Sequence, residues 1–207
     1  MSDFRPQQTP VRNQGDRPTC VAFATSAAHE WSAGDAAHRS AEDAMWAAHR
    51  IGGVPGREEV AASWALTGPQ THGHASETAW PYGQPRWTAG RPDAALAREP
   101  PRPDRLHHLA NAGFDSVAAA VDAARPVILT LGVVYTAWRE PGGVIDAEPG
   151  RKTPANHAVL AVGALTGPDR IVLKNSWGPN WGDHGYGYVT RRYLVHYALR
   201  AHAMEGP

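Results

Sequence analysis

The spacing of apolar and polar residues changes near the middle of the chain. From Cys20 to about Leu66 an alanine-rich stretch carries its larger side chains at helical intervals, with Phe23, Ala27, Glu30 and Trp31 on neighbouring turns. Thr19 offers an N-cap and Gly34 a stop for this first helix. Ser40-Ala41-Glu42-Asp43 has the form of a second helix start, acidic in its first turn, and leads into Ala44-Met45-Trp46-Ala47-Ala48. The pattern predicts a third helix over 57–66. Over 68–103 glycine and proline become frequent, which predicts long ordered loops or turns. The second half opens with a predicted helix over 115–124, capped by Asp115. After Pro126 come short apolar runs at 127–131, 158–162, 171–173 and 186–189, broken by glycine, proline and aspartate, which predict strands of an antiparallel sheet. The expected class is α+β: one unit over 1–207, mainly helical to about 105 and mainly β thereafter. Cys20 opens a helix of the first half and His157 a strand of the second, so a site joining them would be a cleft.

Composition narrows the partners. Acidic and basic residues number twenty each, for a formal net charge of zero. That gives no electrostatic reason to expect nucleic acid or a membrane surface as partner. The start, Met-Ser-Asp-Phe-Arg-Pro, has no apolar run, so no signal peptide is expected, and no stretch is long enough to span a bilayer. With one cysteine the chain forms no internal disulfide, which fits a reducing cytoplasm. Arginine far outnumbers lysine, which reads as the genome bias of a GC-rich bacterium. Oligomeric state is not legible.

The lone cysteine raises the question of chemistry. Cys20 lies at a predicted helix start, where unpaired amides and the helix dipole favour a negative sulfur. A lone cysteine with His157 and Asn175 far downstream is the pattern of a thiol nucleophile assembled in space. His157 is the candidate base and acid, Asn175 the residue that orients it, and Trp177 a cover over their hydrogen bond. Gln14 precedes Cys20 across a Gly-Asp-Arg-Pro turn and is the candidate oxyanion donor, together with the Cys20 backbone N–H.

Three blocks carry a resemblance. Val11-Arg12-Asn13-Gln14-Gly15 through Cys20-Val21-Ala22-Phe23-Ala24, then His157-Ala158-Val159, then Lys174-Asn175-Ser176-Trp177-Gly178 through Trp181-Gly182 and Gly185-Tyr186-Gly187 resemble the papain-like cysteine peptidases, and more closely their bacterial members. The resemblance implies a two-lobe fold with the active site between the lobes and extended peptide or protein substrates. It also implies Cys20 as nucleophile, His157 as base and acid, Asn175 as orienting residue and Gln14 as oxyanion donor. Trp177 and Trp181 are candidate binding residues. Arg17 stands where papain has a disulfide-forming cysteine, Pro18 replaces a glycine, Val21 a tryptophan, and Asn156 an aspartate. With about twenty residues before Cys20, the inhibitory propeptide of the family's secreted enzymes is not expected in this chain.

Other readings stay beside this one. If an amine outcompetes water at the acyl-enzyme, the same residues make an acyltransferase or peptide ligase. A catalytically silent papain fold used for binding is the second alternative. A cofactor is not expected, and neither is a metal. The close histidine pairs, His72 with His74 and His107 with His108, lack a carboxylate or thiol at a ligand spacing.

Overall fold

The alanine-rich stretch after Thr19 folds into helix α1 (Cys20–Ala33), buried along most of its length. The computed structural model describes residues 1–54, 57–96 and 105–205. Small side chains let α1 be covered on two sides. Ala24, Ala27 and Ala28 pack against Ile128, Leu160 and Val172 of the sheet, while Ala22 and Phe23 pack against Ala41, Ala44 and Met45. The last three belong to α2 (Ala41–Gly52), whose N-cap Ser40 accepts a hydrogen bond from the Asp43 amide at 3.1 Å. Gly34 ends α1 in the left-handed region, at φ 65°, with its amide bonded to the Glu30 and Trp31 carbonyls. Thr19 stands at the N-cap of α1, but its side chain makes no cap bond; the hydroxyl pairs with that of Tyr82 at 2.7 Å.

The third helix is displaced from its predicted place. It runs as α3 (Ala62–His72), not over 57–66, and passes through Gly68 and Pro69. Packing overrides local propensity here. A Cβ on Gly68 would lie 2.7 Å from the Ala47 carbonyl carbon, so α2 and α3 touch backbone to backbone at that point. Loops with two short 3₁₀ turns, Trp87–Ala89 and Asp93–Ala95, fill much of the glycine- and proline-rich region. Residues 97–103 of the predicted loop lie outside the described residues.

The sheet, drawn from the second half apart from its first strand, contains β1 (Ser2–Asp3), β2 (Arg105–His108), β3 (Val127–Val133), β4 (Val144–Ile145), β5 (Ala155–Leu165), β6 (Arg170–Lys174), β7 (Tyr186–Thr190) and β8 (Ala198–Glu205). Their order is β2-β8-β3-β5-β6-β7-β4, with β1 added to β5. Pairing is antiparallel as expected, except that β4 and β7 run parallel. One face of the sheet is covered by α1. The other builds a core with α4 (Phe114–Asp122) and α5 (Arg191–Tyr197), around Val117, Val121, Leu129, Leu131, Val159 and Tyr193. Helix α4 begins one residue earlier than predicted, with Gly113 at the N-cap. Asp115 does not cap it; its carboxylate takes two hydrogen bonds from Arg191 of α5, at 2.7 and 2.8 Å. Strands β2 and β8 and helix α5 were not expected from the pattern. The result is an α+β molecule of two lobes, with α1 wedged between the other helices and the sheet. Among the described residues no helix is long and apolar enough to cross a membrane.

Candidate active site

A cleft of about 820 Å³ opens between the lobes, and Gln14, Cys20, His157 and Trp177 all line it. Cys20 is a free thiol at the first residue of α1. Burial pushes this thiol up from its ordinary value, while the backbone amides of Ala158, Val21 and Cys20 itself pull it back. The expected lowering by the helix start is therefore outweighed by desolvation.

His157 comes from β5, where it pairs with Leu131 of β3. Its Nε2 lies 2.7 Å from Asn175 Oδ1. That oxygen also accepts the Ser176 amide at 2.8 Å, which fixes the orientation of the Asn175 carboxamide. Since the oxygen can only accept, Nε2 carries the proton, and Nδ1 of the neutral ring keeps its lone pair for the cleft. Burial lowers the imidazolium to about 4, against the raising effect of the Asn175 bond. Cys20 and His157 are thus each held toward their neutral forms by desolvation. A proton passing from the thiol to the ring creates both charges together, each the other's counter-ion.

Two indoles enclose the imidazole. Trp177 lies across it with ring centroids 4.6 Å apart and an interplanar angle of 34°. Trp138 meets it edge-on at 5.4 Å. Trp181 packs behind them, against Trp177 at 5.5 Å, and its Nε1–H donates to the Trp138 carbonyl at 2.8 Å. Of the two tryptophans expected to bind, Trp177 forms cleft wall and Trp181 supports it. Asn175 is held by its own amide, which donates to the Gly185 carbonyl at 3.0 Å. Gly185 has φ 89°, and a Cβ there would fall 2.5 Å from Val11 Cγ1, so the turn needs glycine twice over.

Gln14 is buried and gripped at both ends of its amide. Ser176 Oγ–H donates to Oε1 at 2.6 Å, and Nε2 donates to the Arg17 carbonyl at 2.8 Å. One Nε2 proton is left over, on a side chain that lines the cleft. The backbones are laced as well: the Gln14 amide donates to the Ser176 carbonyl at 2.9 Å, and Asn13 bridges to Trp177. The segment before the thiol and the segment after Asn175 are therefore one structural unit. Arg17 anchors the loop from the other side through ion pairs with Glu42 of α2 and, at 2.7 Å, with Glu58. A charge pair thus ties down the position that carries a disulfide in papain.

Sequence reasoning missed Ser176 as part of the site; Trp138 reads from the sequence as core packing by default, and it is buried in the core while also meeting His157. Ser176 stands inside a motif already singled out, where its hydroxyl was a usable signal. Trp138 sits on a 3₁₀ turn after β3, at no informative spacing from the other residues. Among the described residues no three His, Cys, Asp or Glu side chains converge as a metal site. His74 instead hydrogen-bonds the Ser40 carbonyl at 2.9 Å, and His72 meets Trp46 edge-on.

Comparison with known proteins gives one consistent answer. The profile of the papain family cysteine proteases matches residues 1–205. Cathepsin J of Mus musculus is 28% identical over 208 residues, covering 91% of this chain and 58% of its own length. Procathepsin L 3 from the larval midgut of Tenebrio molitor superposes with a TM-score of 0.80 at 24% identity, over 98% of this chain and 68% of that one. Xylellain, a cysteine protease from Xylella fastidiosa, gives 0.79 at 22% identity, over 100% of this chain and 85% of its own. The chain thus spans less than two thirds of the curated relative it matches.

Proposed function

Because the chain belongs to the papain family of cysteine proteases, we propose that it cleaves peptide amide bonds through a thioester on Cys20. The observation that carries the reading is the His157–Asn175 hydrogen bond of 2.7 Å, under Trp177, in the same cleft as the free thiol. In this scheme His157 Nδ1 takes the Cys20 proton, and the sulfur adds to the substrate carbonyl. The spare Gln14 Nε2–H and the Cys20 backbone N–H donate to the oxyanion. His157 then gives its proton to the departing amine as the carbon–nitrogen bond breaks. Water attacks the thioester, with His157 taking and returning the proton, and frees the acid and the thiol. Asn175 keeps the ring in the one tautomer that serves both halves.

The substrates of this reading are peptides or proteins. A cytoplasmic location and a place in the bacterial branch belong to the same proposal. They are supported by the single free thiol and by the arginine bias of the composition.

The test is a peptide-library digest with wild type and Cys20→Ala, together with titration by an epoxysuccinyl thiol reagent. Wild type is expected to cleave and to take up one equivalent of reagent at Cys20, and the alanine variant to do neither. Full cleavage by Cys20→Ala would end the proposal. The same digest with added amines separates hydrolysis from acyl transfer, since a ligase would give amide products in place of acids.

A further inference from the structure

The sheet side of the cleft carries one charged residue, Arg200. It lies on β8 directly across from Thr130 of β3, which in turn pairs with Ala158 of β5. Residues paired across an antiparallel sheet point to the same face, so Ala158, Thr130 and Arg200 form a row facing α1 and Cys20. Two strand spacings place the Arg200 Cα on the order of 10 Å from that of Ala158. An extended peptide advances about 3.3–3.6 Å per residue. The guanidinium therefore reaches the side chain of a residue one or two places from the scissile carbonyl.

The surroundings of Arg200 leave its charge uncompensated. It is exposed, and it forms no hydrogen bond or ion pair among the described residues. The sheet-side residues that line the cleft with it, among them Thr130, Val133, Ala155 and Asn156, are uncharged, and the carboxylates of the lining, Asp16 and Glu59, belong to the helical lobe. The other arginine of the cleft, Arg17, is spent on Glu42 and Glu58. A β-bulge follows immediately: the register passes from Thr130–Arg200 to Leu131–Ala198, leaving Leu199 over and 51% exposed. Bulges of this kind re-aim side chains beside functional sites. Glu59 lines the cleft from the helical lobe, so an acidic group entering the cleft is repelled from that wall and drawn to the sheet.

An unpaired guanidinium is a fork of donors shaped for a carboxylate. We infer that Arg200 determines specificity, selecting peptides that carry a glutamate or aspartate within two residues of the cleaved bond. The inference rests on the proposed peptidase reading only for its turnover assay. Fluorogenic peptides scanning Glu, Gln and Lys through two positions on either side of the bond give kcat/KM for wild type, Arg200→Gln and Arg200→Glu. At one position wild type is expected to prefer Glu over Gln by about tenfold, less at high salt. Arg200→Gln is expected to lose that preference and Arg200→Glu to favour Lys. In parallel, peptidyl chloromethyl ketones with the same side chains report labelling rates at Cys20, which need the cleft and the thiol but no hydrolysis. A Glu preference in labelling that disappears in Arg200→Gln, without cleavage of any peptide, would overturn the peptidase reading and keep this one. Equal Glu-to-Gln ratios in wild type and Arg200→Gln, in cleavage or in labelling, would overturn the role of Arg200.

Discussion

Gln14 and Asn175 both depend on Ser176, whose hydroxyl fixes the first carboxamide and whose amide fixes the second. The two carboxamides should fail differently. Gln14→Ala removes a donor that matters only once the oxyanion forms, so kcat is expected to fall about 10²–10³-fold. Alkylation of Cys20 by a small haloacetamide should continue at the wild-type rate, and a parallel loss there would count against an oxyanion role. Ser176→Ala leaves the donor but frees its orientation, for a loss of about 2–12-fold, the worth of one ordinary hydrogen bond. Asn175→Ala withdraws the acceptor that raises the His157 imidazolium. The acidic limb of the pH–rate profile, where the imidazolium must lose its proton before the ring can act as base, should then move to lower pH, and an unmoved limb would argue against the orienting role. At this scale Cys20, His157, Asn175 and Gln14 could be singled out from the sequence because they carry a thiol, an imidazole and two carboxamides, and the structure brings these groups together at one cleft. Ser176 and Trp138 act through other residues, and only the Ser176 hydroxyl, inside the Asn175 motif, carried a signal that could have been used.

Elements were legible where a cap or an unbroken apolar run marks them and obscure where neither does. The start of α1 could be placed from Thr19, which stands at the N-cap position although its side chain makes no cap bond, and that of α2 from its Ser40 cap and acidic first turn, since such signals are local. Strand β8 was hidden because Ala201 and Ala203 pack toward one core and His202 and Met204 are buried on the other side, so alternation vanishes. Helix α3 was misplaced because its limits follow from contact with α2 and not from its own residues. That contact makes a prediction. Gly68→Ala drives a methyl group to 2.7 Å from the Ala47 carbonyl carbon. The helices must separate, at a cost of about 1–3 kcal/mol. Urea unfolding should show a lower midpoint at unchanged slope, and a midpoint equal to that of wild type would mean that the interface relaxes freely.

Over the whole molecule the two lobes are joined through a buried carboxylate. Glu30 of α1 takes hydrogen bonds from Thr9 and from the Arg39 amide at 2.8 Å, and lies 3.3 Å from Arg12 and 3.4 Å from His38. Lys174 of β6 donates to Thr9 at 2.8 Å, which carries the network into the sheet. Burial pushes the Glu30 carboxyl up, but His38, Arg12, Thr9 and the Arg39 amide together bring it to about 2, from 4.5. The folded state binds this proton more weakly than the unfolded chain does. The contribution is therefore complete above pH 4.5 and is lost as the pH falls through 2. It is on the order of 3 kcal/mol. Glu30→Gln should be less stable near neutrality and should lose less stability than wild type between pH 5 and pH 2. Parallel acid curves for the two proteins would contradict this.

The chain also crosses its own midline. Ser2 and Asp3, ahead of the helical half, pair with Ala164 and Gly163 of β5, while Met204 near the far end packs with Ala24, Ala27 and Ala28 of α1. Neither half is a self-sufficient module. Two peptides made by severing the chain between them would each bear a surface only the other can cover, and would be expected to recombine as a split protein.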